Sequence, residues 1–172
     1  MIQNICIRQN VFLLMGQVEL ERHFYNSIIA HIRSSRRHAI VTATSGIASL
    51  LMDGGRTTHS TFKVPIPIND LSTCPISPDS RLANQIINSA IIIIDEAPMM
   101  HRHVYEAIDR TLRDIMKRID ATYGNILFGG KVIVLGGDFR QMLPVIPRGN
   151  RSMIVNACIN RCFLWDNFSV LI

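Results

Sequence analysis

The sequence predicts an α/β fold built on a central, mostly parallel sheet, and three observations lead there. Short apolar runs alternate with stretches of helical period. One run, Ala90–Ile94, holds four consecutive isoleucines, β-branched and apolar on both faces, which suits an inner parallel strand covered from both sides. Two runs end directly in polar groups, Asp95-Glu96 and Gly136-Gly137-Asp138, at the strand ends where open parallel sheets bind ligands.

The elements follow in order. Val11–Met15 reads as a buried strand, and Leu20, Phe24, Ile28 and Ile32 then recur every four residues, as on an amphipathic helix. Ala39–Ala43 is a second strand, followed by Thr44-Ser45-Gly46 and a short helix over Ile47–Met52 that Asp53-Gly54-Gly55 stops. A proline-rich loop runs from Lys63 to Ser80, and Arg81–Ser89 is helical before the isoleucine strand. Val104, Ile108, Leu112, Ile115 and Ile119 predict a helix over 104–119, with Arg110, Arg113, Lys117 and Arg118 mostly on its other side. Lys131–Leu135 is the next strand; a short helix near Ile154–Asn160 and a last strand at Ser169–Ile172 complete the pattern. The chain stops inside that apolar run, so a truncated piece of a longer protein is expected.

With 172 residues, 48% of them hydrophobic and 18% charged, the chain fits one domain with a real core and is not disordered. The net charge of +5 admits a polyanionic partner without requiring one. Cysteines stand at 6, 74, 158 and 162 with no CxxC pair; Cys158 and Cys162 would share a helix face, but no second pair completes a zinc site. No apolar run approaches the roughly 20 residues of a membrane span, and the start is not a clear secretory signal.

Three places could carry chemistry. An acidic pair at a strand end, Asp95-Glu96, can hold magnesium with one carboxylate and deprotonate an attacking water with the other; it also suits any strand that surfaces. Gly136–Gln141 lets the backbone turn closely beside a ligand, and Gln141 can sense a terminal phosphate; a solvated glycine-rich turn has the same look. Thr44-Ser45-Gly46 opens a helix, where amides and hydroxyls bind anions or simply cap. The following Gly54–Lys63 mixes small polar residues, a cation at each end and Phe62. Such a loop can grip a single strand, with Arg56 and hydroxyls on phosphates and Phe62 against a base, or it can be a solvent loop whose Phe62 plugs the core. The cluster Arg33, Arg36, Arg37 and His38 reads as a solvated helix end.

Three segments occur together in order: Gly-Gly-Arg-Thr-Thr-His-Ser-Thr-Phe-Lys-Val-Pro at 54–65, Ile-Ile-Asp-Glu-Ala-Pro-Met at 93–99 and Leu-Gly-Gly-Asp-Phe-Arg-Gln-Met-Leu-Pro-Val at 135–145. The set resembles the Pif-type (petite-integration-frequency) DNA helicases, especially the Helitron-like plant form, and 107–116 and 148–157 extend the likeness. The resemblance implies a P-loop NTPase-type, three-layer α/β fold, the first motor lobe of an ATP-dependent 5′-3′ helicase that moves on single-stranded DNA. It implies ATP and Mg2+, and work in DNA repair, recombination and telomere maintenance in the nucleus or mitochondrion. By matched position, Asp95 would bind magnesium, Glu96 would be the catalytic base, and Gln141 would couple the terminal phosphate to DNA binding. Asp138 would stand near the nucleotide. Thr44, Ser45, Gly46, Arg56, His59, Ser60, Phe62 and Lys63 would lie on the DNA side.

The chain departs from the family at one decisive place. The family's first strand leads into GxxxxGK[ST], whose amides, lysine and hydroxyl hold the phosphates and magnesium. Here Gly16 is followed by Gln-Val-Glu-Leu-Glu, with Arg22 and His23 roughly where the lysine and threonine belong. Glu19 and Glu21 would face a polyanion, so weak ATP binding is expected. The chain also ends before the second lobe. Residues 1–172 are therefore read as one truncated lobe, with a catalytically inactive nucleic-acid- or partner-binding remnant as the alternative.

Overall fold

The isoleucine strand organises the molecule as its composition requires. In the computed structural model, which describes residues 10–14, 18–138 and 143–171 (backbone alone at 18–22 and 171), six parallel strands form one sheet. They are β1 (Val11–Leu14), β2 (His38–Ala43), β3 (Arg56–Thr57), β4 (Ser89–Asp95), β5 (Ile133–Gly136) and β6 (Ser169–Leu171), in the order β3-β2-β4-β5-β1-β6. β4 lies inside, paired with β2 on one side and β5 on the other. Side chains alternate across a strand. Ile91 and Ile93 thus enter one core with Val41, Ala43 and Val134, and Ile92 and Ile94 enter the other with Leu13, Ile133 and Leu135.

Helices cover both faces, giving the expected three layers. α1 (Val18–Ser34) and α2 (Gly46–Leu50) close the first face, through Tyr25 and Ile29 and through Ala48. α3 (Thr58–Phe62), α4 (Arg81–Asn88) and α5 (Arg102–Met116) close the second, through Phe62, Ile86, Val104, Ile108 and Leu112. α6 (Arg151–Ala157) precedes turns that bring Ile159, Cys162 and Leu164 to that second core.

Several expectations are corrected. The buried stripe of α1 runs through Tyr25 and Ile29, with Ile28 and Ile32 partly covered, while Phe24 is exposed; Leu20 lies outside the described side chains. α5 ends at Met116, so Ile119 falls beyond it and is exposed. α6 ends at Ala157, so Cys158 and Cys162 do not share a helix face, and no group of three metal-ligating side chains occurs among the described residues. Arg33 is not merely solvated: it pairs with Asp53 and donates to its carbonyl at 3.1 Å.

Two buried charges pin the sheet's lower end. Lys131 Nζ donates to the carbonyls of Ile87 (2.5 Å) and Ser89 (3.1 Å), satisfying the end of α4 where β4 begins, and burial lowers its pKa. Asp109 accepts from Arg113 Nε and from the Phe128 amide, fixing the turn that feeds β5.

Candidate active site and nucleic-acid interface

Parallel strands in register bring their carboxyl ends to one edge. Ala43 pairs with Asp95, Ile94 with Leu135, and Leu14 with Gly136. Along that edge stand, in order, the segments after β3 (58–63), β2 (44–46), β4 (96–99) and β5 (137–138), then the end of β1. Strands are about 4.8 Å apart, so the Asp95 backbone stands about 10 Å from the end of β1. β1 leads to a helix on one face, and its neighbour β5 leads to segments on the other, which makes a topological switch point.

Asp95 and Glu96 are half-buried at the end of β4. Glu96 adopts a left-handed backbone (φ 53°, ψ 37°), which costs a residue with a side chain about 1 kcal/mol and needs support. The support comes from both neighbouring strands. On one side Thr44 Oγ1 donates to the Glu96 carbonyl at 2.8 Å, and the Ser45 amide donates to Glu96 Oε2 at 3.2 Å. On the other, Gly137 (φ 133°) packs so closely that a Cβ there would stand 2.7 Å from Pro98 Cδ and 3.3 Å from Glu96 Cα. A Cβ on Gly136 would coincide with the Tyr25 hydroxyl and stand 3.4 Å from Asp95 Oδ1. Tyr25, from α1, is thus a member of the acidic site that the four-residue spacing through Phe24 missed; the 25-28-29-32 spacing was its signal.

The expected DNA-side residues lie beside these carboxylates. Ser45 caps α2 by accepting from the Ala48 amide at 3.1 Å, and Gly46 is the first helical residue. β3 pairs with β2 (Thr42 with Arg56, Ala43 with Thr57), which sets α3 next to 44–46. Arg56, Ser60 and Lys63 are exposed, and Lys63 ends α3 in a left-handed conformation. His59 is partly covered, and burial lowers its pKa. Phe62 is a correction: at 1% exposure it packs in the second core with Val64 and Cys74, so its ring does not face a base.

On the nucleotide side, Asp138 is half-buried just after Gly137. Gly16 and Gln141 lie outside the described residues, as does the Arg22 side chain. Arg22 and His23 are already inside α1, which is described from Val18, and His23 is exposed. They sit about 6–8 Å along the axis from Val18 at 1.5 Å per residue, not at the helix start where a phosphate-binding lysine and hydroxyl belong. Sequence reasoning also missed Thr42 and Thr58, fully buried hydroxyls behind this edge.

The model of the PIF1-like helicase family matches residues 7–172. The chain belongs to the PIF1-like helicase family. It is 28% identical over 164 residues to the ATP-dependent DNA helicase Pif1 of Psychrobacter sp., covering 94% of this chain and 24% of that protein. It is 30% identical over 125 residues to the ATP-dependent DNA helicase PIF4 of Trypanosoma brucei brucei, covering 70% of this chain and 15% of that one. The crystal structure of Bacteroides Pif1 bound to ssDNA superimposes with a TM-score of 0.74 at 25% identity, over 99% of this chain and 39% of that chain. A complex of Bacteroides Pif1 helicase with ADP-AlF3 and ssDNA gives a TM-score of 0.75 at 23% identity and bears on the fold. The chain thus spans a quarter or less of the length of these two curated relatives. The α/β sheet read from the sequence is the PIF1-like sheet, and among the described residues no helix is long and apolar enough to cross a membrane.

Proposed function

We propose that this PIF1-like chain is the first motor lobe of a 5′-3′ DNA helicase, in which single-stranded DNA and ATP turnover meet at the carboxyl edge of the sheet. The observation that carries this reading is the Ser45–Glu96 hydrogen bond: the segment matched to DNA binding directly holds the carboxylate matched to catalysis. DNA would run over Thr44, Ser45, Gly46, Arg56, His59, Ser60 and Lys63. Glu96 would orient and deprotonate the attacking water, while Gln141 and Asp138 would face the terminal phosphate.

A magnesium ion suits the donor set, because it takes one or two carboxylates and completes its shell with water and phosphate. Asp95 offers such a carboxylate, half-buried at the strand end. When bound, the ion would neutralise charge on the phosphate oxygens. The phosphate cradle does not fit: residues 16–23 contain no lysine–hydroxyl pair, and Glu19 and Glu21 stand in that stretch, where they would face a polyanion. ATP is therefore bound weakly by this chain. The same observation favours the second reading, a nucleic-acid-binding remnant without turnover. The wording of 54–65, 93–99 and 135–145 supports the Helitron-like plant form, residues 1–172 as the first motor lobe, and work in repair, recombination and telomere maintenance in the nucleus or mitochondrion.

Anisotropy of labelled oligo-dT tests the DNA reading. Binding should weaken with salt with a log–log slope of about −0.7 per neutralised phosphate. The Arg56→Ala/Lys63→Ala double variant should reduce both affinity and slope. Oligo-dT that fails to bind at low salt, or binds the double variant equally well, overturns the assignment. Turnover separates the two readings: Mg-ATP hydrolysis abolished by Glu96→Gln supports the motor lobe, and hydrolysis at background level supports the remnant.

A further inference from the structure

Three threonine hydroxyls run between the proposed DNA-side segments and the acidic strand. Thr42 lies on β2 and meets the start of α3, and Thr44 follows just past the end of that strand, where it meets the end of β4. Thr58 opens α3. Thr58 Oγ1 lies 3.1 Å from Thr42 Oγ1 and 3.1 Å from the Ala43 carbonyl. Thr42 Oγ1 donates to the Ile93 carbonyl on β4 at 3.0 Å. Thr44 Oγ1 stands 2.8 Å from the Glu96 carbonyl and 3.3 Å from that of Asp95.

The two carbonyls at the end of β4 do not need the Thr44 hydroxyl. The Asp95 carbonyl already accepts from the Thr44 amide at 3.0 Å, and the Glu96 carbonyl from the Met99 amide at 3.1 Å. What the Thr44 hydroxyl adds is orientation. It fastens the left-handed turn at Glu96 to the end of β2, while the next amide, Ser45, fastens the Glu96 carboxylate. Thr42 and Thr58 bind the start of α3 to the same pair of strands through fully buried bonds, where an unpaired hydroxyl is costly and alternative partners are absent from the solvent.

We propose that Thr44 is a positioning residue for Glu96, and that Thr58, Thr42 and Thr44 make the strand-engaging segments and the hydrolytic carboxylate move as one unit. The consequence is that a single strand seated on 44–46 and 56–63 re-aims the Glu96 carboxylate before any nucleotide is present. This rests on the reading of those segments as the DNA side and of Glu96 as the base.

The test is carboxyl carbon NMR of the full chain, with the Glu96 resonance assigned by Glu96→Gln and saturation by oligo-dT checked by anisotropy for each variant. In the native chain the Glu96 resonance should shift along the binding isotherm. At saturation Thr44→Val, or Thr44→Ala should the first fold poorly, should lose at least half of that shift, and Thr44→Ser should restore it. A native Glu96 resonance that stays put while oligo-dT binds overturns the proposal, as does an unchanged response in Thr44→Val. Absence of any oligo-dT binding overturns the underlying reading instead. The hold on Glu96 is then judged without DNA: Ser45 amide exchange should speed up about tenfold or more in Glu96→Ala, and equal exchange rates overturn it.

Discussion

Substitution of Gly136 by alanine probes how tightly the acidic site is packed. The added methyl would coincide with the Tyr25 hydroxyl and lie 2.7 Å from Tyr25 Cζ, on a fully buried side chain held between the sheet and α1. The backbone of Gly136 is ordinary strand, so the cost is steric and not conformational. Overpacking of this kind costs about 1–3 kcal/mol, and contact with a buried ring puts it near the upper end. For a chain of this length that lowers the melting temperature by roughly 4–10 °C. Tyr25→Phe alone should cost about 1 kcal/mol through its hydroxyl. In the Gly136→Ala background the same change removes the first atom the methyl meets, so the two effects should couple by about 1–2 kcal/mol. Rescue should be incomplete, because the ring carbon remains. The assay is a double-mutant cycle by chemical denaturation. Strict additivity, or a Gly136→Ala protein as stable as the native one, would refute the convergence of Tyr25, Gly136 and Asp95.

Other consequences follow from the same packing. Phe62→Ala should cost about 3–5 kcal/mol by denaturation, as a core ring does; a loss below about 1 kcal/mol would return Phe62 to the surface. Burial raises the thiols of Cys74 to about 11 and of Cys162 to about 12, so neither should alkylate in the folded chain at pH 7.5, and mass spectrometry of the labelled protein should find Cys158 modified before either. Burial lowers the pKa of His59 and of His101, whose Nδ1 accepts the His103 amide. Between the ordinary value of 6.5 and the lower folded values the unfolded chain binds more protons, so stability should fall as pH drops through that window and return above it. The difference in urea midpoint between pH 7.5 and 5.5 should shrink in a His59→Gln/His101→Asn protein; an undiminished difference would assign the effect elsewhere.

The sheet was legible because its strands announce themselves locally. Four isoleucines satisfy both faces of an inner strand, and Asp95 and Gly136 mark where two strands reach the ligand edge. The acidic pair and its neighbours were legible for the same reason. Phe62 was not, because an aromatic ring in a polar loop reads equally as a base platform or a core plug. The structure decides through tertiary packing that the local sequence does not encode. Tyr25 was hidden by phase: a strict four-residue spacing follows Phe24, whereas a helix of 3.6 residues per turn brings 25, 28, 29 and 32 to the sheet, with Tyr25 and Ile29 buried and Ile28 and Ile32 partly covered. Thr42 and Thr58 were hidden because a hydroxyl in an apolar strand signals a buried bond without naming its partner. Gln141 and Gly16 lie outside the described residues.

The proposed function pairs a hydrolytic edge at Asp95 and Glu96 with a 16–23 stretch that lacks the lysine–hydroxyl pair of a phosphate cradle. Calorimetric titration of Mg-ATP tests it most directly, on the native chain and on one whose residues 16–23 are replaced by a GxxxxGKT loop. Two missing charge-assisted contacts amount to about 3 kcal/mol or more, so the graft should bind about a hundredfold tighter or better. Low-micromolar binding by the native chain, or a graft that binds no better, would contradict the account.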